Sequence, residues 1–235
     1  MPDLEITVTG NSSIHRRAER SVMKVSVSSD GPSQAIVSEE VTSTANQVRR
    51  MFNEIAPKTE SGAAAPDAAV TVFSMASIRS WSCIPRNNAG EPRPRQYSAS
   101  SSFEAIFRDF EKLGDIASEL FKMPHVQVTS IEWRLTTGTK DSLQSEVRKT
   151  AIRDAIQKAN DYGEVVGHTV RAKEIHDNGS SQMFTGQLQQ QQMQMQMQPQ
   201  MIGQRAMGRT PGGLPLEPED VVLNGSVQVT FVSVD

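Results

Sequence analysis

A single cysteine, Cys83, stands among 235 residues. One thiol excludes an intramolecular disulfide and fits a reducing compartment. The Asn-x-Ser sequons at Asn11, Asn178 and Asn224 carry little weight in that setting, because glycosylation needs the secretory route. Long apolar runs are also missing: no segment approaches the ~20 residues of a membrane span, and MPDLEITVTGNSS is acidic where a secretory signal is basic and then apolar. The expectation is a cytoplasmic protein without a membrane span. Asp+Glu number 27 against 24 Lys+Arg, a net charge of -3, so long-range attraction for nucleic acid or anionic lipid is absent. Aromatic residues are 5% of the chain, too few for a row of base-stacking platforms, and no nucleic-acid partner is expected.

Catalytic patterns are equally scarce. His15, His125, His168 and His176 are scattered without HxH or HExxH spacing, so no pair of imidazoles is directed at one metal and surface or turn positions are expected. Asp109, Glu111 and Asp115 have no nearby histidine and read as acids of a helix start, each stabilised there by about 0.3–1 kcal/mol. Ser98, Ser100, Ser101 and Ser102 lie in a strand pattern, not a GxSxG elbow, and read as hydroxyls on a sheet face. The GTK at Gly138 lacks the upstream glycine of a phosphate loop. Cys83 has Arg79 and Arg86 as its only nearby cations and no resolving partner, so it reads as a small buried apolar residue. Met193, Met195 and Met197 present thioethers suited to Cu(I), yet the surrounding glutamines make a Gln-rich tract the simpler account. Arg16, Arg17 and Arg20, and Arg93 and Arg95 between prolines, read as solvated turns or interface charges. No catalytic, cofactor-binding or metal residue is assigned, and no cofactor is expected.

What is present is fold. Ile6 and Val8, then Met23, Val25 and Val27, alternate with polar residues, predicting an opening antiparallel pair of strands. After Asp30-Gly31-Pro32, Val37, Val41, Ala45, Val48, Phe52 and Ile55 make a helical stripe ended by Pro57. Val70 to Trp81 has strand character up to Pro85, and a loop from Arg86 to Arg95 leads into Tyr97. From Tyr97 to Phe107 the period is two; from Asp109 it becomes helical through Phe110, Leu113, Ile116, Ala117 and Leu120. Val126 and Val128 are out of phase with Ile131, Trp133 and Leu135, which predicts a bulge near Thr129 or Ser130. Asp141 and Gln144 suggest the cap of a helix with the stripe Leu143, Val147, Ala151, Ala155, Ala159 and Tyr162, ended by Gly163 and Gly167. Its alanines allow close approach to a sheet. Thr169 to Ile175 is a weak strand, and Val221 to Phe231 a strong closing one.

Residues from about Asn178 to Pro215 offer Gln, Met, Gly and Pro but almost no branched or aromatic apolar side chain. Ordering them costs roughly 1–2 kcal/mol of backbone entropy per residue with little burial to offset it, so a disordered insertion is predicted. At 37% hydrophobic content the chain supports one domain carrying that insertion: 1–177 and 216–235 form it, and 178–215 hang outside.

ITVTG at Ile6 to Gly10, YSASSSFEAIFRDFEKLGDI at Tyr97 to Ile116, AIRDAIQKA at Ala151 to Ala159 and GSVQVTF at Gly225 to Phe231 together resemble the SIMPL-domain family. That family includes YggE-like oxidative-stress proteins, periplasmic immunogenic proteins and a kinase-associated animal signalling protein. The second glycine usual after the long helix is replaced near Arg171, and the Gln/Met tract is not a family feature. The resemblance implies an α+β fold of antiparallel sheet covered by about three helices and, in some members, a ring-like or channel-like homo-oligomer. It implies no catalytic site. Two expectations follow: a non-enzymatic protein that self-assembles through sheet edges, such as those of Val221 to Val234, or through exposed helix faces, with a scaffold or stress-related role; or a monomeric adaptor docking a partner, such as a kinase, through its loops, the Gln/Met insert or the Pro92 loop.

Overall fold

A computed structural model describes residues 4–184 and 216–234. In chain order the elements are β1 (Glu5–Arg17), β2 (Arg20–Gly31), α1 (Gln34–Ile55), β3 (Val70–Met75), β4 (Arg79–Cys83), β5 (Gln96–Phe107), α2 (Phe110–Leu120), β6 (Val126–Arg134), α3 (Thr137–Val166), β7 (Thr169–Phe184) and β8 (Asp220–Val234). The chain is α+β, with two antiparallel sheets and three helices among the described residues. It divides into two compact units. The predicted disordered segment lies outside the described residues from 185 to 215, and so does the Met193, Met195, Met197 tract.

The first unit holds a sheet of order β1-β8-β7 under α3. Chain ends meet here: β1 pairs with β8 along its whole length, from Glu5↔Val232 to Arg17↔Asp220. Val8, Val227, Val229 and Phe231 form a buried cluster with Ala151, Ala155 and Ala159 of α3. Two glycines set how closely that helix sits. A Cβ on Gly10 would lie 2.0 Å from the Ala151 carbonyl oxygen, and one on Gly225 would lie 2.2 Å from Val147 Cγ1. Both distances are far inside van der Waals contact. These glycines are the last residue of ITVTG and the first of GSVQVTF, so the motifs mark where the sheet backbone meets α3, against helix backbone at Gly10 and against the Val147 side chain at Gly225.

The second unit holds a five-stranded sheet of order β3-β5-β2-β6, with β4 also paired to β5. α1 lays Val37, Val41, Ala45, Val48 and Phe52 into the core, as its stripe predicts. Phe52 stacks on Phe73 at 5.0 Å and meets Phe107 edge-on at 6.2 Å, while Phe73 stacks on Phe103 at 6.0 Å. Asp109 caps α2 through Glu111 N and Lys112 N, 3.0 and 3.1 Å from its Oδ1. The predicted bulge is at Thr129: Lys24 faces Ser130 and Val25 faces Val128, leaving Thr129 without an opposite residue. Its Oγ1 donates to the Lys24 carbonyl at 3.1 Å.

Several expectations are corrected. β1 and β2 are not a pair: consecutive amides diverge where they meet, Ala18 N donating to Glu219 O and Glu19 N to Arg134 O, so each strand joins a different sheet. α3 starts earlier than Asp141, because the Thr136 hydroxyl caps it, accepting from Thr139 N at 3.4 Å. Its stripe ends on buried Gly163, one turn beyond Ala159, and not on Tyr162, which is exposed. Gly167, in the left-handed region at φ 76°, terminates the helix alone. Val70 to Trp81 is two strands, with a break at 76–78, both on the same edge of β5. β7 runs to Phe184, past Asn178, because pairing with β8 supplies hydrogen bonds that its weak apolar pattern does not reveal. β8 is no edge: β1 and β7 cover its two sides.

Candidate functional site: an open sheet edge

Strand edges decide where another polypeptide can join a sheet, since an unpaired edge presents N–H and C=O groups ready to pair. In the first unit, β1 is an edge strand that its own helix guards. Asp154 Oδ2 of α3 accepts from the Asn11 amide at 2.8 Å, and Lys158 Nζ donates to the Thr9 carbonyl at 3.0 Å. The two side chains are joined at 2.7 Å. The Lys158 hydrogen bond, and after it that of the Asn11 amide, holds the Asp154 carboxyl below the ordinary aspartate pKa. A carboxylate and an ammonium thus occupy the place a further strand would take.

β4 is unguarded. All five of its residues are exposed, and among the described residues it pairs with β5 alone. Alternation places Arg79, Trp81 and Cys83 on one face, opposite Ser100, Ser98 and Gln96, and Ser80 and Ser82 on the other, the core side shared with Ala99. Trp81 is 54% exposed, an unusual setting for an indole, and Ile78 and Ile84 flank it in the open. The returning loop is built, not slack. Asn87 Oδ1 accepts from Ala89 N at 3.0 Å and Glu91 N at 2.9 Å, Arg93 N donates to Pro85 O at 2.7 Å, and Arg86 bridges to Pro92. Arg95 reaches Ser82 Oγ at 2.9 Å and Arg86 reaches Gly90 O at 3.0 Å. Residues 78–95 therefore form a firm arm carrying Arg79, Arg86, Arg93 and Arg95 against the single acid Glu91. Arg79 and Arg93 make no ion pair among the described residues.

The sequence candidates fall as follows. Cys83 is exposed, not buried, because β4 has no covering layer. The four histidines are all exposed, as expected, and His125 turns the chain at φ 64°. Asp109, Glu111 and Asp115 stay at the start of α2, and Gly138 is in the first turn of α3. Ser98, Ser100 and Ser102 share the face of β5 away from Phe103, while Ser101 turns to the core side and donates to Ala76 O at 2.9 Å. No group of three or more His, Cys, Asp or Glu capable of holding a metal occurs among the described residues.

Sequence reasoning missed two features. It treated the arm as two separate stretches and did not single out Trp81, although the RSWSC alternation was the available signal. It also missed that Asn11, Asn178 and Asn224 line one trough of about 560 Å³ with Ser13, Gly179 and Ser226. Register brings them together, with Asn11 opposite Ser226 and Ser13 opposite Asn224. Among the described residues its lining carries no charge and no aromatic side chain to orient a ligand.

No curated protein matches the chain. A family model does, over residues 6–231, from Ile6 of β1 to Phe231 of β8. Those limits bracket both sheets, and the chain belongs to the SIMPL family, described as proteins of unknown function (DUF541).

Proposed function

We propose that this protein is a non-enzymatic docking protein that recruits an extended polypeptide segment to β4 as an added strand. One observation carries the reading: among the described residues β4 is fully exposed and unpaired on its outer side, whereas the β1 edge is occupied by Asp154 and Lys158. Exposed, flat edges are usually blunted by charge, proline or cover, so one left bare beside a tryptophan is a docking surface by default. The test is a proline at Ser82, beside Trp81, which disrupts a strand without touching either core. Loss of partner binding with an unchanged melting temperature supports the reading; binding retained in full overturns it.

Self-association into a homo-oligomer with a scaffold or stress-related role is the second reading. It draws on the five-stranded sheet having two outer strands, β3/β4 on one side and β6 on the other, each paired on one side only among the described residues. Head-to-tail pairing of unlike edges closes into rings when the rotation allows. Light scattering behind size exclusion tests it: a monomer at micromolar concentration removes this reading and leaves the first.

A further inference from the structure

Resting on the docking role, we infer that the segment taken up by β4 is acidic. Residues 78–95 carry four arginines and one glutamate, a charge of +3, in a chain whose total is -3. The remainder of the chain is therefore at -6, and the arm is a cationic island on an acidic protein. Trp81 stands between Arg79 and Cys83 on one face, at a spacing of roughly 7 Å between alternate side chains. An incoming strand presents its own alternate side chains at the same spacing. A carboxylate beside Arg79 gains an ion pair that the folded protein leaves unmade, and an aliphatic stem over the Trp81 ring gains apolar contact.

Other occupants fit less well. A second copy pairing β4 with β4 brings +3 against +3. An oligonucleotide meets one exposed tryptophan and leaves the backbone edge of β4 without partners, since only a polypeptide supplies alternating N–H and C=O groups. The ion pairs would be made at an exposed rim, so charge chooses the partner while main-chain bonds and the Trp81 contact hold it.

The experiment uses the full chain and five fluorescein-labelled probes: (Glu-Thr)4, (Gln-Thr)4, (Lys-Thr)4, (Glu-Thr)4 with alternate backbone nitrogens methylated, and oligo-uridine. Anisotropy is read with wild type, Trp81→Ala and Arg79→Glu. The expected result is binding of (Glu-Thr)4 at least tenfold tighter than of any other probe, and weakening of roughly tenfold by Trp81→Ala. Arg79→Glu is expected to shift preference toward (Lys-Thr)4. Trp81 fluorescence should move to the blue on binding, while buried Trp133 stays as background. Equal binding of the methylated peptide overturns strand addition. Equal binding of (Gln-Thr)4 overturns the acidic preference but leaves docking at the edge intact. Preference for oligo-uridine, or no binding of any peptide, overturns the inference outright. Both substituted side chains are exposed, and an unchanged melting temperature shows that a loss is not unfolding.

Discussion

Replacing Gly10 with alanine adds one methyl group, yet it should be among the most damaging single changes available. The new Cβ would lie 2.0 Å from the Ala151 carbonyl oxygen and 2.8 Å from both the Cβ and the amide nitrogen of Ala155. Two of those three atoms are helix backbone, so no rotamer change relieves the clash, and α3 must withdraw by about 1.5 Å to restore contact distance. Withdrawal opens a gap along Ala151, Ala155 and Ala159, whose partners are Val8, Val227, Val229 and Phe231. A radial gap of roughly 0.5–1 Å already forfeits a quarter to a half of each dispersion contact, so the cost exceeds an ordinary overpacked site. We expect about 3 kcal/mol or more, read as a fall on the order of 10 °C in the melting temperature of the first unit. The matched control is Gly138→Ala, in the first turn of α3 with no atom within 4 Å of the added Cβ. There helix propensity alone acts, and a gain of about 0.5 kcal/mol is expected. Urea unfolding followed by circular dichroism measures both. A Gly10→Ala protein within about 0.5 kcal/mol of wild type would show that the helix is not seated on this glycine.

Arg108 donates to three carbonyls of one loop, at 2.5 Å to Ala68, at 2.7 Å to Ala65, and to Pro66. Arg108→Ala should destabilise the second unit by about 1.5–3 kcal/mol in urea titrations and raise hydrogen exchange at Ala65–Ala68. Asp109→Ala removes the α2 cap and should cost about 1 kcal/mol by the same measurement, with Asp109→Asn close to wild type. Asp154→Asn keeps the shape of the β1 guard but loses its charge. Because Lys158 and the Asn11 amide lower the Asp154 pKa in the folded protein, this stabilisation is present above the unfolded carboxyl pKa, about 3.9, and is lost as pH falls through the lower folded value. The stability gap between wild type and Asp154→Asn should therefore be constant at neutral pH and close below about pH 4. Glu132, held low by Lys24 and then Arg134, gives both proteins acid-labile stability of the same sign and so cancels from the gap. A gap that widens on acidification contradicts this assignment.

Much of the fold was legible from residues alone, for reasons that differ by element. The α1 stripe and the change of period at Asp109 are local signals, and local signals survive into the structure. The bulge at Thr129 was readable because a slip of one residue inverts every later side chain in a strand, and Val128 and Ile131 betray the inversion. Partner choice was not readable. β1 looks like half of a hairpin with β2, and nothing within its thirteen residues says that its partner is β8, more than two hundred positions away. The start of α3 was misplaced because Asp141 and Thr136 are both competent caps, and the stripe alone does not choose between them. Cys83 was misjudged for a related reason. A lone cysteine reads as core unless one knows that its strand lies on an outer edge with no helix over it.

The two edges also explain why charge must be read by place and not by total. Lys158 and Asp154 neutralise each other, and together they close β1 by satisfying one donor and one acceptor of its outer side. Among the described residues Arg79 and Arg93 have no such carboxylate, so they leave β4 cationic and its outer backbone groups uncompensated. The same types of side chain thus do opposite things: paired, they stand in for a strand; unpaired, they wait for one. Placing a guard on β4 should convert one case into the other. Trp81→Glu puts a carboxylate one alternate position from Arg79 on the same face of β4, and the expected outcome is an arm that no longer takes up (Glu-Thr)4 while both units melt as before. Retained uptake would mean that neither the indole nor the open edge is what the segment recognises.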